Sequence, residues 1–318
     1  MPLPDHVEAI RDRVSNWGRW GPDDQLGTAN LLTPEAARRG AAAVRTGRRF
    51  SLAVNLDADG PQVGQPPRRI NALLTMVSIN ERDRHAPGMW AGSDDMVTMS
   101  TSAGTHIDAL SHITYDGLMY NGFAASNIIA SAGATTCGVE TMPPIVTRGV
   151  LLDVPATRGV AGLDELDPSY AITAEDLDAA AALAAVTIES GDAVLVRTGE
   201  MRHFRAGDRR RYTLGDRYRF PGLSVHSVEW LHRHDVAAAF SDSYAYEVFP
   251  PSSADWSDTL AVHMLHLRDM GLVQGQNWDL EALAADCAAD GQYDMLLVAA
   301  PEPITGATSA PVHPVAVK

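Results

Sequence analysis

The sequence predicts a mixed α/β fold, and two observations indicate it. Segments with strand character alternate with helical segments through the second half of the chain, which is typical of α/β folds. The 318 residues also show no internal repeat and no linker long enough to divide the chain. We therefore expect a single α/β domain at residues 50–318, preceded by an N-terminal helical and aromatic arm at residues 1–49.

The arm contains two predicted helices joined by an aromatic loop. The first runs from His6 to Val14. The second begins after Thr33 and reaches Val44, because a threonine N-cap, a proline and a glutamate follow one another there. Trp17 and Trp20 lie between them among glycines and a proline. Packing is the favoured role for these rings, and covering a neighbouring subunit's pocket is the alternative.

Three strands are predicted in the first part of this domain, between residues 50 and 100. Residues 50–56 alternate apolar and polar side chains, as a half-buried strand does, and residues 71–80 form a second strand. Residues 81–94 are polar and interrupted by glycine and proline, so we expect a flexible flap that brings Trp90 to a substrate. Residues 95–100 return to strand character.

The second half supplies the core of the predicted domain. Thr173 and Asp176 have the spacing of a capping box at a helix start. The Pro-rich tail, residues 301–318, is expected to be a closing loop. Strands are predicted at 148–154, 191–199, 236–242 and 293–300, and helices at 173–185, 225–234, 259–270 and 279–290.

Composition excludes several classes of function. The net charge of −15 argues against binding to a nucleic-acid backbone. Two distant cysteines form neither a metal-site spacing nor a disulfide framework. We find no secretory signal and no long apolar run, so a cytoplasmic protein without membrane contact is expected. The motifs of serine hydrolases, P-loop NTPases and dinucleotide-binding enzymes are missing.

One short stretch concentrates chemically active side chains. His106 and Asp108 point to the same face if that stretch is extended. If a helix then starts near Asp108, His112 lies one turn further along, beside the carboxylate. Imidazole and carboxylate groups that converge in this way suit Zn or Mn. An N-cap aspartate flanked by two structural histidines is the alternative.

The sequence Gly104-Thr-His-Ile-Asp-Ala-Leu-Ser-His112 resembles the signature H-x-G-T-H-x-D-x-P-x-H of the putative cyclase family. That family includes metal-dependent kynurenine formamidases and isatin hydrolase. Residues 115–122, 17–27 and 274–281 resemble its longer-chain branch. The resemblance implies the family's swivelling β/β/α domain and assembly as a homo-oligomer, either a dimer or a tetramer.

The resemblance also implies a metal site. It assigns His106, Asp108 and His263 as ligands of one divalent ion, Mn or Zn. His112 becomes a catalytic base or a further ligand, and Asp108 contributes to catalysis as well as to metal binding.

Two departures from the family affect that site. Ser102 stands at the family's first signature histidine, and Gln276 at its glutamate, so a site with two metals is not expected. Both residues, together with Trp90 and Tyr115, are expected to contact the substrate.

The predicted function is metal-dependent hydrolysis of an amide, lactam or related acyl bond in a small aromatic or cyclic substrate. A non-hydrolytic cyclase, dehydratase or isomerase on the same scaffold is the first alternative. A small-molecule binding protein without catalysis is the second.

Overall fold

A computed structural model describes residues 3–65, 68–85, 88–251 and 258–318 of the chain. The strands are β1 Arg49–Ser51, β2 Leu73–Arg82, β3 Ala91–Thr98, β4 His106–Asp108, β5 Ile128–Ile129, β6 Gly133–Ala134, β7 Ile145–Asp153, β8 Ala171–Ile172, β9 Ala193–Arg197, β10 Gly222–Leu223, β11 Ala238–Ser241, β12 Val273–Gln276, β13 Asp294–Ala299, β14 Ser309–Pro311 and β15 Val315–Val317.

The α-helices are α1 Asp5–Val14, α2 Pro34–Ala42, α3 Val154–Arg158, α4 Ala174–Ala184, α5 Met201–Arg205, α6 Arg209–Leu214, α7 Val225–Arg233, α8 Ala261–His263 and α9 Glu281–Asp290. Helix α8 continues directly into a π-helix, Met264–Met270. Short 3₁₀ turns lie at Gly27–Leu31, Tyr120–Gly122, Ala125–Asn127, Val139–Thr141 and Leu163–Glu165.

A mixed sheet of nine strands forms the centre of the described structure, in the order β1-β15-β13-β7-β9-β11-β12-β4-β14. Its four middle strands, β7, β9, β11 and β12, run parallel to one another. The strands on either side of this block are antiparallel to their neighbours. The fold class predicted from the sequence is therefore confirmed.

Both faces of the parallel block are covered, which explains its nearly continuous apolar sequence. All five residues of β9 are buried. Val194 and Val196 point into one core with α1, α4 and α7. Ala193 and Leu195 point into a second core on the opposite face, where α9 packs. The N-terminal helix α1 is thus part of the main body of the protein.

Two expectations about strands were wrong. The tail is not a closing loop, because β14 pairs with β4 and β15 joins β1 to β13. Three-residue strands next to prolines are too short to show an alternating pattern. The predicted strand at 50–56 shrinks to β1, since after Ser51 only an isolated bridge between Ala53 and Trp278 follows within the described residues.

The expected flap is largely a β-hairpin. β2 pairs with β3 in antiparallel register, from Leu73 opposite Thr98 to Arg82 opposite Ala91, and two irregularities interrupt the ladder. Two flap residues, at positions 86–87, lie outside the described residues. Within the part of the chain that the structure describes, this hairpin pairs only with itself.

No helix among the described residues combines the length and the apolar character needed to cross a membrane.

The capping box at the start of α4 gives a stability prediction. The Thr173 side chain accepts a hydrogen bond from the Asp176 N–H, and the Asp176 side chain accepts one from the Thr173 N–H. Thr173→Ala should therefore lower the free energy of unfolding by about 1 kcal/mol, measured by urea denaturation. Thr173→Ser keeps the hydroxyl and should restore most of the loss. Equal stability of the alanine variant and the wild type would contradict this role.

Candidate functional site

The candidate site begins where β12, the last strand of the parallel block, pairs with β4. In the ladder between β4 and β12, Asp108 lies opposite Gln274 and His106 lies opposite Gln276. Side chains of residues that face each other across a ladder project to the same side of the sheet. The four side chains therefore meet on one face, and each is at most 3% exposed.

Two glutamine amides hold one oxygen of Asp108. Oδ2 lies 2.8 Å from Gln276 Nε2 and 3.2 Å from Gln274 Nε2. A carboxylate only accepts hydrogen bonds, so both amides must present their NH₂ groups to it. Among the described residues, the other oxygen, Oδ1, has no hydrogen-bond partner. Asp108 is thus fixed through one oxygen and free at the other.

The Nε2 atom of His106 has no hydrogen-bond partner within the described residues and faces Asp108 Oδ1. The Nδ1 of His106 lies 2.8 Å from the Gly104 carbonyl oxygen, so Nδ1 carries the proton and donates it. Its Nε2 is buried without a partner in the described chain and lies 3.6 Å from Asp108 Oδ1. Burial lowers the pKa of His106 to about 4, so the ring is neutral at pH 7.

His263 is oriented by a carboxylate that the sequence analysis did not assign to the site. His263 is the last residue of α8, and its Nδ1 is hydrogen-bonded to Glu247. Glu247 also accepts from the backbone N–H groups of Val262 and His263, each at 3.1 Å. The His263 Nε2 then faces Gln276, whose Nε2 lies 3.4 Å away.

His112 reaches the site through a turn and not through a helix. The predicted helix after Asp108 does not form. Instead, the His112 N–H donates to the Ala109 carbonyl at 2.9 Å in a tight turn. The His112 Nε2 lies 4.0 Å from Asp108 Oδ1, and the side chain is 21% exposed. Burial lowers the pKa of His112, which favours the neutral ring.

The groups around Asp108 favour its ionised form although it is buried. Burial opposes ionisation, but the nearby rings of His112, His106 and His263 and the hydrogen bond from Gln276 outweigh it. The pKa of Asp108 is therefore held well below its usual range.

Another buried histidine, His266, lies beside Gln274. His266 Nδ1 is 3.1 Å from the Tyr246 hydroxyl, and a weak interaction between His266 and Gln274 continues the chain towards Asp108. Neither His266 Nε2 nor Gln274 Oε1 has a well-formed hydrogen bond within the described residues. Burial lowers the pKa of His266 to about 3.

Sequence reasoning missed Gln274 and assigned no role in the site to Glu247. Gln274 could have been found, because Gln274 and Gln276 are two apart and strand side chains repeat with a period of two. Glu247 follows the predicted strand at 236–242, a position where α/β sheets present functional groups. The sequence did not link it to His263, which lies 16 residues further on and meets it only in the folded chain.

The structure places the remaining predicted substrate contacts differently. Ser102 is buried in the loop before β4. The Tyr115 hydroxyl donates to Asp269 at 2.6 Å, and its ring stacks on Arg268, so its polar end is already engaged. Trp90 lies beside the start of β3 and is 57% exposed. The structure does not bring Tyr115 or Trp90 to Asp108, and their roles stay predictions.

A separate group of possible metal ligands lies at the 3₁₀ turn Leu163–Glu165 and at the start of α5. Ligand atoms of Asp164, Glu200 and His203 all lie within 4.8 Å of one another. Asp164, however, already binds Arg202, Arg211 and His203. Two guanidinium groups at one carboxylate disfavour the addition of a cation there.

The burial of a neutral histidine predicts that the free energy of unfolding decreases in mild acid. Once unfolded, His266 protonates near its ordinary pKa of 6.5, whereas in the fold it stays neutral down to about pH 3. The unfolded chain therefore binds more protons between these values, and stability falls as the pH drops from about 6.5. For metal-free protein, His266→Asn should reduce this slope by up to about 1.4 kcal/mol per pH unit.

Urea unfolding at pH 6.5, 5.5 and 4.5 measures that slope. The exposed His226 provides a matched control, since His226→Asn changes the same residue type outside the site. An unchanged slope in His266→Asn would contradict the burial of a neutral ring at this position.

Comparison with known proteins places the chain in a family. This chain is 34% identical to a protein whose crystal structure is described as a novel cyclase. The TM-score is 0.86, and the match covers 97% of this chain and 99% of that chain. Isatin hydrolase A from Labrenzia aggregata, bound to benzyl benzoate, is 20% identical, with a TM-score of 0.62 and coverage of 87% and 94%.

A structure described as a potential metal-dependent hydrolase with cyclase activity is 16% identical, with a TM-score of 0.50 and coverage of 85% and 98%. No protein with a curated function matches this chain significantly. The sequence profile described as "Putative cyclase" matches residues 50–248, which is more than half of the chain. The chain therefore belongs to the putative cyclase family.

Proposed function

We propose that this protein is a metal-dependent hydrolase that cleaves an amide, lactam or related acyl bond in a small aromatic or cyclic substrate. One observation carries the proposal: a free carboxylate oxygen of Asp108 is buried together with the unshared Nε2 of His106, 3.6 Å away. Buried polar atoms without partners are rare and call for a specific reason. A divalent cation between them supplies that reason.

The chemistry of the donor atoms fits such an ion. His106 and His263 both donate their Nδ1 proton, one to a carbonyl oxygen and the other to Glu247, so each Nε2 keeps its lone pair. This pattern of a histidine held by a carbonyl or carboxylate is typical of metal ligands. Nitrogen and carboxylate donors suit Zn or Mn. We assign His106, Asp108 and His263 as the residues that hold one ion.

When bound, a divalent ion supplies Lewis acidity, which polarises a carbonyl group and acidifies water. The chain itself supplies orientation and proton transfer. The two glutamine amides keep Asp108 Oδ1 directed at the histidines. His112 is neutral at pH 7 and partly exposed, so its Nε2 is able to accept the proton of the attacking water and to return it to the leaving group.

The likeness to isatin hydrolase supports a cyclic amide as substrate, and the family membership supports an enzyme. Gln276 supports a site with one ion, because its NH₂ group faces Asp108 and is not available as a ligand.

Alanine variants of two histidines separate metal binding from proton transfer. His106→Ala should lose most of the bound metal, measured by elemental analysis, and with it the hydrolysis of formanilide or isatin-like substrates. His112→Ala should keep the metal but lower kcat by about 10²- to 10⁴-fold, the range expected for a lost general base. Stoichiometric metal in His106→Ala would contradict the assignment. Metal loss in His112→Ala would make His112 a ligand.

We further propose that the protein forms a homo-oligomer through the β2–β3 hairpin. An isolated two-stranded hairpin is marginally stable in water, yet both faces of this one carry exposed apolar side chains. Seven large apolar side chains of the hairpin are each 43–68% exposed. Their combined surface is comparable with the ~800 Å² that each partner buries in a standard interface. These residues are Leu73, Leu74, Met76, Val77, Ile79, Met96 and Val97. A second copy presents the same surface and is able to cover it symmetrically.

Charged substitutions on the hairpin test the oligomer. The double variant Leu74→Lys with Val77→Lys should be monomeric in sedimentation or light-scattering experiments under conditions where the wild type is not. Leu183→Lys is the control, since Leu183 is 43% exposed but lies on α4. A monomeric wild type, or an oligomer unaffected by the double variant, would overturn the proposal.

A further inference from the structure

One buried asparagine contacts the backbone that orients His106. Asn277 follows directly after β12 and is fully buried. Its Nδ2 donates to the Gly104 carbonyl oxygen at 3.0 Å and lies 3.5 Å from His106 Nδ1. The same carbonyl oxygen accepts the Nδ1 proton of His106 at 2.8 Å. The Asn277 amide and the His106 ring therefore meet at a single acceptor.

A second contact ties Asn277 to the same stretch of chain. The Thr105 hydroxyl donates to the Asn277 carbonyl at 2.6 Å and accepts the Val54 N–H at 2.9 Å. Asn277 has a left-handed backbone with a φ of 60°, a conformation that asparagine adopts more readily than most residues. Its side chain and its carbonyl thus hold the two residues that precede His106, which are Gly104 and Thr105.

A tyrosine fixes the direction of the Asn277 amide. The Tyr212 hydroxyl donates to Asn277 Oδ1 at 2.8 Å and also lies 3.0 Å from the Asp242 carbonyl oxygen. Because Oδ1 accepts the hydroxyl proton, the NH₂ group of the amide must face Gly104. Burial raises the pKa of Tyr212 well above its usual value, so the hydroxyl keeps the proton that it donates.

Helix α6, which carries Tyr212, is anchored on both sides of this residue's position in the chain. The Arg209 Nε donates to the Gly60 carbonyl at 3.0 Å. The Arg211 guanidinium donates to Asp164 at 3.0 Å, and the Arg211 N–H is capped at the start of the helix. The helix therefore presents Tyr212 from a fixed position.

The metal-free site offers a competing acceptor for the His106 proton. Asp108 Oδ1 lies 3.6 Å from His106 Nε2, and a carboxylate is a stronger acceptor than a neutral carbonyl. A small shift of the ring would let Nε2 carry the proton and donate it to Asp108. In that tautomer Nε2 has no lone pair for a metal ion. The contacts that hold the Gly104 carbonyl oppose this shift.

We propose that Asn277 and Tyr212 are positioning residues for His106. Tyr212 sets the direction of the Asn277 amide, and the amide holds the Gly104 carbonyl. This carbonyl keeps the His106 proton on Nδ1, so the Nε2 lone pair stays available to a metal ion. Replacing a residue that holds a metal-binding histidine in this indirect way typically weakens metal binding or activity by about 10- to 100-fold.

This inference rests on the proposed function in one respect, the assignment of His106 as a metal ligand. The test therefore has one part without metal and one part with Mn²⁺, both on the full-length protein. The variants are Asn277→Gly, Tyr212→Phe and the two combined, and glycine fits the left-handed backbone at this position. The control is Tyr244→Phe. The Tyr244 ring lies 6.3 Å from that of Tyr212, but its hydroxyl contacts two glutamines of another segment.

The first part records ¹⁵N NMR spectra of the imidazoles in metal-free protein at pH 7. The His106 signals are assigned by their loss in His106→Ala. The wild type and Tyr244→Phe should show only the Nδ1–H tautomer, whereas Asn277→Gly should also show the Nε2–H tautomer. Melting temperatures check that each variant folds. Should Asn277→Gly unfold, Tyr212→Phe, which loses a single oxygen atom, should show the same additional tautomer.

The second part titrates the proteins with Mn²⁺ by calorimetry. Tyr212→Phe and Asn277→Gly should each weaken binding by about 10- to 100-fold, and Tyr244→Phe should bind as tightly as the wild type. The combined variant should bind no more weakly than Asn277→Gly alone, because Tyr212 acts through the amide and coupled residues do not have additive effects. Independent structural damage would give additive losses instead.

Three results would overturn the inference. They are an Nε2–H tautomer of His106 in the wild type, a tautomer that neither Asn277→Gly nor Tyr212→Phe changes, and an Mn²⁺ affinity that is changed equally by Tyr212→Phe and Tyr244→Phe or additively in the combined variant. The change of tautomer in a protein whose wild type binds no Mn²⁺ would support the positioning of His106 and count against the metal-dependent hydrolase.

Discussion

The candidate site depends on the way in which one buried carboxylate is held. Gln274 and Gln276 extend from the same face of β12 and both donate to Oδ2 of Asp108, on the neighbouring strand β4. Because the ladder between the strands sets this register, a slip of one residue would turn both amides to the opposite face. The position of the free oxygen, Oδ1, therefore follows from the pairing of two strands in the sheet.

Neutral donors are well suited to this task. A buried carboxylate needs hydrogen bonds, and amides provide them without adding charge. A glutamate at position 276 would place a second negative charge beside Asp108, and like charges at this distance raise the pKa of one partner unless a cation lies between them. The presence of glutamine thus lets Asp108 remain ionised before any ion binds. The imidazoles of His106 and His112 lie beside this carboxylate, and Glu247 holds His263 from behind.

Much of this arrangement could be predicted from the sequence. The period of two along a strand correctly placed His106 and Asp108 together, and the family resemblance identified Gln276 and His263. The proximity of His112 was also predicted, although a turn and not a helix produces it. Gln274 could have been predicted in the same way, because it lies two residues before Gln276 on one strand.

The remaining features arise from contacts between distant parts of the chain. Glu247 meets His263 only because the loop after β11 packs against α8. Local sequence patterns carry no information about such contacts. The short strands β14 and β15 were missed for a related reason, since their partners and not their own sequences stabilise them.

The most direct test of the site is the location of a bound ion. Crystals of the protein grown with Mn²⁺ would show it in an anomalous difference map. The arrangement described here predicts one peak per chain, within bonding distance of Asp108 Oδ1 and of the Nε2 of His106, with no peak at Asp164, Glu200 and His203. A peak at that second cluster with none beside Asp108, or two ions beside Asp108, would contradict it.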